Sequence, residues 1–423
     1  MLAVSRLRRS AGAFSAVCCF AVIAFALPVA GADEPLKETP APVDVIKPDD
    51  AESKQLPATN AAAVQPTYGD PVTTRMRIGG RVEAKGGEVQ DIFMMVAVPL
   101  DCPEQKVQVV DEDFSTDLGT VAFRTLPEVK LAEPGAKQML ISIPRLPSRQ
   151  TAGAVATYEV VTSRVFAPKE TAPLRIPKKL ARDIKTFVST SPFINVGDRK
   201  IRDAVEEALQ LRVTSDETRK ASAAVVANRI GVAPAATPEE ASKTEEQANS
   251  KTAEAAKPKK AEKRDPQAAA ELAAKIEKLT DWERVEALYD FVRARVKYLD
   301  GAEDMPAIEA LKNGQADCYG LSALFVAMCR TMKVPARMVW VDNHQYAEFY
   351  LEDETGKGYW YPAQLAGTRA FGEMPTPMVI FQKGDNFRVP ERRRERLRYA
   401  TDHTTLQASS KHKPRVVYVR EPL

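Results

Sequence analysis

One cysteine of this sequence stands at the predicted start of a buried helix. Cys318 follows Asp317, which can act as an N-cap, and it precedes a run of apolar residues at helical spacing. The apolar positions of this run are Leu321, Leu324, Phe325, Met328, Cys329 and Met332. The helix dipole and unpaired N–H groups at a helix start favour a thiolate, and the same N–H groups can hold a developing oxyanion. Cys318 is therefore a candidate nucleophile, whereas Cys329 is typical of a packed core residue.

A nucleophilic thiol also needs a base, and the sequence contains three histidines. Two predicted strands, 338–341 and 346–351, are separated by a turn, and His344 lies at the start of the second strand. A strand start is rigid enough to aim an imidazole. His403 and His412 lie in a polar, basic tail where solvation is expected. His344 is therefore the candidate general base.

These residues, in this order, resemble the core of the transglutaminase-like superfamily. The resemblance rests on the following segments: Asp317-Cys318-Tyr319-Gly320 with the helix after it, Val334-Pro335-Ala336-Arg337, His344 with Tyr346-Ala347-Glu348, and Trp360 with Pro362. It covers roughly residues 281–364. It implies a papain-like arrangement with Cys at a helix start, His at a strand start and an Asp on the next strand, four residues after a Trp.

The chain departs from this pattern at the third catalytic position. Four residues after Trp360 stands Gln364 instead of Asp. A Gln carbonyl can accept a hydrogen bond from imidazole Nδ1–H and fix the tautomer, but it cannot stabilise imidazolium by charge. We therefore expect a weaker ion pair between Cys318 and His344, with Glu348 and Asp342 as possible substitutes for the orienting group.

Other residues near the motif have two interpretations each. Gln315, three residues before Cys318, is a candidate oxyanion donor or part of a loop. Trp340, Tyr346 and Trp360 are candidates for lining a substrate groove, although aromatic residues on strands usually pack in a core.

The N-terminus has the features of a signal peptide, residues 1–32. Basic residues precede an apolar run, 11–27, and Ala30-Gly31-Ala32 fits the small-x-small cleavage rule. The expected location is secreted or periplasmic, with no integral membrane domain after cleavage. An uncleaved membrane anchor is the alternative, because the run is nearly long enough to span a bilayer.

Charge and cysteine content exclude several classes of partner. A net charge of +3 is too small to imply nucleic acid binding. Cleavage would leave Cys102, Cys318 and Cys329, an odd number that leaves at least one free thiol. Their spacing does not make a zinc site, so no metal and no cofactor are expected.

Composition divides the rest of the chain. The predicted segments are a flexible Pro/Ala-rich linker (33–70), a β-sandwich domain (71–168), a helical connection (169–213), a low-complexity insertion (214–266), a transglutaminase-like core (267–375) and a basic C-terminal extension (376–423). The insertion is either disordered or an exposed helical arm for a partner. The run Arg392–Arg396 is either a solvated face or a contact for an anionic envelope polymer.

The sequence thus predicts an α+β protein, a papain-like transglutaminase core preceded by an antiparallel β-sandwich. The resemblance implies attack of Cys318 on a peptide or glutamine carbonyl in a protein or peptide substrate. The acyl-thioester would pass to water, as in a protease or amidase, or to an amine, as in a transglutaminase. The alternative is an inactive scaffold or a binding protein of the cell envelope that keeps this fold.

Overall fold

The computed structural model describes residues 61–127, 133–229 and 266–423. The predicted signal peptide, most of the predicted linker and most of the predicted insertion lie outside the described residues. The described residues belong to one compact unit.

The N-terminal part is an antiparallel β-sandwich. A short helix, α1 (Ala61–Val64), comes first. The strands after it are β1 (Thr67–Glu83), β2 (Val89–Val98), β3 (Gln105–Phe114), β4 (Thr120–Leu126), β5 (Ala136–Leu146) and β6 (Thr151–Phe166). Alternate side chains from β1, β2, β5 and β6, among them Ile78, Met94, Ile141 and Tyr158, meet in one apolar core. The period-two pattern of the sequence has this physical cause, and the predicted sandwich is confirmed.

The described helices and the remaining strands come mostly from the second half of the chain. The helices are α2 (Arg199–Arg229), α3 (Pro266–Glu277), α4 (Asp281–Arg295), α5 (Ala307–Asn313) and α6 (Cys318–Thr331). The strands are β7 (Lys297–Tyr298), β8 (Gln315–Ala316), β9 (Ala336–Val341), β10 (His344–Glu352), β11 (Gly358–Gln364), β12 (Ala370–Phe371), β13 (Ile380–Lys383), β14 (His403–Ala408) and β15 (Arg415–Pro422).

One large sheet runs through both halves of the described fold. Its strand order is β12-β11-β10-β9-β13-β5-β2-β14, and β4 pairs with β5 beside this path. A single residue pair, Gln382 with Ala136, joins β13 to β5. The other sandwich sheet has the order β15-β1-β6-β3. The C-terminal segment therefore returns to the sandwich, where β14 and β15 each extend one sheet.

The segment between sandwich and core is less helical than its apolar spacing predicts. Residues 174–198 contain turns and a 3₁₀ turn at Lys185–Val188, whereas α2 begins only at Arg199. This helix also runs past residue 213, into the first residues of the predicted low-complexity insertion. Pro177, Pro192 and Gly197 interrupt the helical spacing in this region, because Pro lacks a backbone N–H and Gly favours helix ends.

Local sequence signals set the helix ends around the core. Thr280 and Glu283 form the predicted capping box at the start of α4, with each side chain bonded to the other's backbone N–H. Gly314 ends α5 with φ of 66°, a left-handed conformation that Gly adopts without strain. The chain then passes through β8 and enters α6 at Cys318.

Helix α6 packs on one face of the large sheet. Ala347, Phe349 and Leu351 alternate along β10 and meet the apolar face of α6 in one core. Gly320 allows the close approach of the first turn, because a Cβ there would lie 2.7 Å from the Cβ of Ala316. Within the part of the chain that the structure describes, no helix is long and apolar enough to cross a membrane.

The opposite face of β10 carries a buried cluster of charged side chains. Glu348 binds Arg337 on β9 at 2.6 Å and Lys383 on β13 at 2.8 Å. Arg337 also binds Glu133, and Lys383 also binds Glu104. Burial disfavours the ionised Glu348, but Arg337 and Lys383 outweigh burial and lower its pKa. These five charges hold three core strands against the sandwich.

Candidate active site

Cys318 is the first residue of α6, as its sequence context predicts. The Asp317 carboxylate accepts a hydrogen bond from Gly320 N–H at 2.8 Å and so caps the helix. The Cys318 thiol is partly buried and donates to Oε1 of Gln345 at 2.9 Å. Gln345 is the second residue of β10, so the sulfur lies against the start of that strand.

His344 is the first residue of β10 and pairs with Val341 of β9. Burial lowers the pKa of its imidazole, and an interaction with the Gln364 side chain raises it in part. A contact that raises the pKa stabilises the protonated ring, as expected when the Gln carbonyl accepts an imidazole N–H. Gln364, the last residue of β11, thus lies where the resemblance places the orienting residue.

The thiol pKa is higher than the helix start alone predicts. Burial raises the pKa of Cys318, and the charges of Asp317 and Asp304 add to this effect. The backbone N–H of Tyr319 in the first turn of α6 lowers it, which is the predicted effect of a helix start, and the backbone N–H of Gln345 on β10 lowers it as well. Burial outweighs these N–H groups, so the net shift of the Cys318 pKa is upward although the helix start acts in the predicted direction.

Asp317 itself is a perturbed carboxyl group. Burial, together with a hydrogen bond and charge repulsion from Asp304, raises its pKa to about 6, although the Gly320 N–H opposes the shift. Asp304 in turn forms an ion pair with Arg398 from the C-terminal segment. The helix cap next to the nucleophile therefore titrates near neutral pH.

In the free site, burial therefore favours the neutral thiol and the neutral imidazole. Burial acts on both groups in the direction that opposes a thiolate–imidazolium pair. Among the hydrogen bonds of the described residues, the thiol donates to Gln345 and none joins it to His344. Such a site can transfer the thiol proton during attack by general base catalysis, without a preformed ion pair.

Several predicted neighbours lie elsewhere. Gln315 is exposed on β8, where its backbone pairs with Lys297, and no described hydrogen bond joins its side chain to the sulfur. Glu348 is held by Arg337 and Lys383, so it is not free to orient His344. Asp342 is exposed in the turn before β10. Of the orienting candidates, Gln364 alone contacts the imidazole among the described residues.

The aromatic candidates do not form a groove at Cys318. Trp340 and Tyr346 are 6% and 2% exposed, and Trp340 packs against Tyr319 and Tyr399. Both are core residues, in disagreement with the groove expectation. Trp360 is partly exposed but lies four residues from Gln364 along β11, a distance of roughly 13 Å in a strand. It lines a cavity whose lining does not include Cys318 or His344.

Gln345 is the site residue that sequence reasoning missed. It directly follows His344 at the start of β10, where the sulfur also contacts the Gln345 backbone N–H. The available signal was its odd position, shared with Ala347 and Phe349 on the face that covers α6. A polar side chain at the start of that apolar face is expected to meet the helix end that carries the nucleophile.

Cys102, Cys318 and Cys329 are free thiols in the described part of the chain. Cys329 is fully buried in the core, as its helical position predicts. In the described ranges, no three His, Cys, Asp or Glu side chains are grouped so as to hold a metal ion.

Residues 266–365 match the family model of the transglutaminase-like superfamily. This segment begins with α3 and includes Cys318, His344 and Gln364, so the resemblance noted from the motifs is confirmed. The match supports a cysteine-enzyme core of this superfamily in that part of the chain.

Two further comparisons give less detail. A crystal structure of a proposed cysteine protease from Cytophaga hutchinsonii aligns with 84% of this chain and 92% of its own, at 12% identity and a TM-score of 0.42. No curated protein matches the chain.

Proposed function

We propose that this protein is a cysteine enzyme that forms an acyl-thioester on Cys318 from a peptide or glutamine carbonyl. The observation that carries the proposal is the meeting of three elements at one place. The N-terminus of α6 brings the thiol to the start of β10, and the end of β11 brings Gln364 to His344. A nucleophile, a base and an orienting group for that base are the minimum set for this chemistry.

His344 acts first as base and then as acid. As the Cys318 sulfur bonds to the carbonyl carbon, the thiol proton passes to His344 and the carbonyl oxygen becomes an oxyanion. The tetrahedral intermediate then collapses: the C–N bond breaks, the amine takes the proton from imidazolium, and the acyl-thioester remains. Water or an amine next attacks the thioester with its proton passing to His344, and return of that proton regenerates the thiol.

Gln345 has a role in this scheme as the oxyanion donor. Its side-chain amide lies beside the sulfur, and Oε1 accepts a hydrogen bond from the thiol at a sulfur–oxygen distance of 2.9 Å. Once the sulfur has lost its proton, rotation of the amide presents Nε2–H to the same region. Nε2–H and the N–H groups at the start of α6 then stabilise the developing negative charge. The same residue stabilises the neutral thiol before reaction and the oxyanion during it.

The substrate class follows from chemistry shared by the two routes. Hydrolysis and transfer both begin with acylation of Cys318, and they differ only in the acceptor of the acyl group. Water exclusion around the thioester selects the acceptor. We propose a protein or peptide acyl donor, with each acceptor tested in its own assay.

The test is site-specific alkylation of Cys318 by iodoacetamide as a function of pH, followed by peptide mass mapping. A working base adds a His344-dependent component below the pH range in which the free thiol ionises. His344→Ala should remove this component. His412→Ala is the matched control, because His412 is exposed and lies far along the chain from the site.

A substrate assay completes the test. Fluorescent casein reports hydrolysis, and casein with dansylcadaverine reports transfer to an amine. We expect turnover in one assay to disappear in Cys318→Ala and to fall by at least 100-fold in His344→Ala, within the usual range for a general base. An identical alkylation profile in wild type and His344→Ala, with no turnover, would reject the enzyme proposal.

The alternative is a scaffold that keeps the fold without catalysis. The neutral pair at Cys318 and His344, and Gln364 in place of a carboxylate, are the observations that favour it. It predicts a single ordinary titration of the Cys318 alkylation rate. It also predicts binding to envelope partners that is unchanged in Cys318→Ala.

We also propose export of the protein through its N-terminal segment. Arg8 and Arg9, the apolar run and the cleavage pattern support this proposal. N-terminal sequencing of the protein recovered from an exporting host tests it, with Asp33 as the expected first residue. A first residue at or near Met1 in a membrane fraction would instead support the uncleaved anchor.

A further inference from the structure

A cavity among the described residues lies away from the thiol. It encloses about 520 Å³, a volume in the range of small-molecule sites. Its wall includes Trp360 and Tyr350 from the hairpin that follows His344, and Phe187 from the 3₁₀ turn before α2. Neither Cys318 nor His344 belongs to its lining. It is thus a second concave site on the same core.

The inner wall of this cavity is aromatic and rigid. The rings of Phe187 and Tyr350 each lie 5.2 Å from the ring of Trp360. The Arg337 guanidinium lies 3.9 Å from the centre of the Trp360 ring and holds it from one side. Phe387 adds a fourth aromatic side chain. A flat or extended apolar group would displace water from this wall, and this displacement favours binding.

The floor of the cavity is charged, but its charges already have partners. Arg337 binds Glu133 and Glu348, and Lys383 binds Glu348 and Glu104. Asp385 likewise pairs with the buried Arg330 at 2.6 Å. These charged side chains already form ion pairs within the protein, so a charged ligand is not needed to neutralise them.

The mouth of the cavity differs from the floor because its cations lack ionic partners. Arg182 and Arg388 line the mouth and form no hydrogen bond or ion pair with any described residue. Arg396 makes one hydrogen bond, to Asn386 at 3.3 Å. Asp183 is the acid at this mouth. Three guanidinium groups against one carboxylate leave a positive rim over an aromatic wall.

From this arrangement we infer a binding site for a small amphipathic anion. Its flat or chain-like apolar part packs on the aromatic wall at Trp360, and its carboxylate, sulfonate or phosphate group binds the arginines of the mouth. A guanidinium binds such groups through paired N–H donors. A concave volume of this size suits a small ligand better than a polymer. The site is independent of the acyl chemistry proposed for Cys318.

The test uses 8-anilinonaphthalene-1-sulfonate, an aromatic sulfonate whose fluorescence rises in apolar surroundings. Binding is measured on the full chain by fluorescence titration and calorimetry. The double variant Arg388→Ala/Arg396→Ala should weaken the affinity at least tenfold. N-phenyl-1-naphthylamine, which lacks the sulfonate, should bind wild type and this variant with equal affinity.

The matched control is Arg393→Ala/Arg394→Ala. It removes the same charge from the same C-terminal segment, but neither residue lines the cavity. We expect its affinity to stay within twofold of wild type. Cys318→Ala should bind like wild type, which separates this site from the proposed enzyme site. Thermal unfolding of each variant verifies that the fold is retained.

Three results of the binding titrations would overturn the inference. They are equal weakening in the two arginine pairs, a stoichiometry well above one per chain, and absence of saturable binding. A competition arm identifies which ligand source fits: decanoate should displace the probe, whereas inorganic phosphate at the same concentration should not. Displacement by phosphate alone would show a simple anion site at the rim and would also reject the proposed amphipathic ligand.

Discussion

Asp317→Asn isolates the charge beside the nucleophile without removing the helix cap. Asn caps a helix about as well as Asp, so the hydrogen bond with Gly320 N–H can persist. The substitution removes one member of the Asp317–Asp304 pair, whose repulsion together with burial raises the pKa of Asp317. The variant therefore reports the electrostatic cost of an ionised carboxylate at this position.

The magnitude follows from the shift. A pKa of about 6 against an ordinary value of 3.8 corresponds to about 3 kcal/mol. Asp317 is 8% exposed, and relaxation of its surroundings on ionisation reduces this to about 1–1.5 kcal/mol. The folded protein binds this proton more tightly than the unfolded chain does. The wild type therefore loses this stability as the pH rises from about 4 to about 6, whereas the Asn variant does not.

The assay is urea unfolding of both proteins at pH 4.5 and pH 7.5, followed by tryptophan fluorescence. Asp317→Asn should be about 1 kcal/mol more stable than wild type at pH 7.5, and the difference should shrink at pH 4.5. Asp117→Asn, at an exposed position in the β3–β4 turn, is the control and should show no such pH-dependent gain.

A second readout checks the same cause. The Asp317 charge raises the pKa of Cys318, so the Asn variant should react faster with iodoacetamide at pH 8. A stability difference that is equal at both pH values would refute the electrostatic reasoning. So would a variant that is less stable than wild type at pH 7.5, because the cap would then depend on the charge itself.

Three other substitutions test the site and its support. Gln345→Ala should speed alkylation of Cys318 about fivefold near pH 7.5, because loss of the hydrogen-bond acceptor for the thiol removes about 1 kcal/mol of stabilisation from its neutral form. The same variant should lower kcat for casein, and a parallel rise in both would contradict the oxyanion role. Gln364→Asp should raise the pKa of His344 and extend alkylation of Cys318 to lower pH. Gln364→Ala should lower kcat with little change in KM. Equal alkylation profiles and equal kcat values in wild type and both variants would exclude an orienting role for Gln364. Arg330→Met leaves Asp385 buried and unpaired and should destabilise the fold by about 3–5 kcal/mol in urea unfolding, an effect that Arg330→Met/Asp385→Leu should partly reverse.

Local signals predicted the elements that carry the candidate site. Asp317 caps α6, Thr280 and Glu283 form their capping box, and a turn separates the strands that end at Val341 and begin at His344. These features depend on residues a few positions apart. The spacing of apolar side chains was sufficient for the core helix and for the sandwich strands, because one buried face imposes a fixed period.

These local signals do not predict which strands pair across long distances in the sequence. Composition identifies the basic C-terminal extension, but the pairing of its strand β15 with β1 joins residues more than 300 positions apart. The pairing of β14 with β2 is of the same kind. Strand partners are chosen by the packing of the whole core, which a local pattern does not encode.

The sequence by itself determined which groups are available for chemistry: a cysteine at a helix start, a histidine at a strand start, and Gln364 where the resemblance implies an acid. The tertiary structure decided their protonation. Burial of Cys318 and His344 favours the neutral form of each group, against the effect of the helix start. Desolvation depends on every atom packed around a group, and those atoms come from distant parts of the chain. The packing of distant segments also decided that Gln345 contacts the thiol and that Trp360 lines a separate cavity.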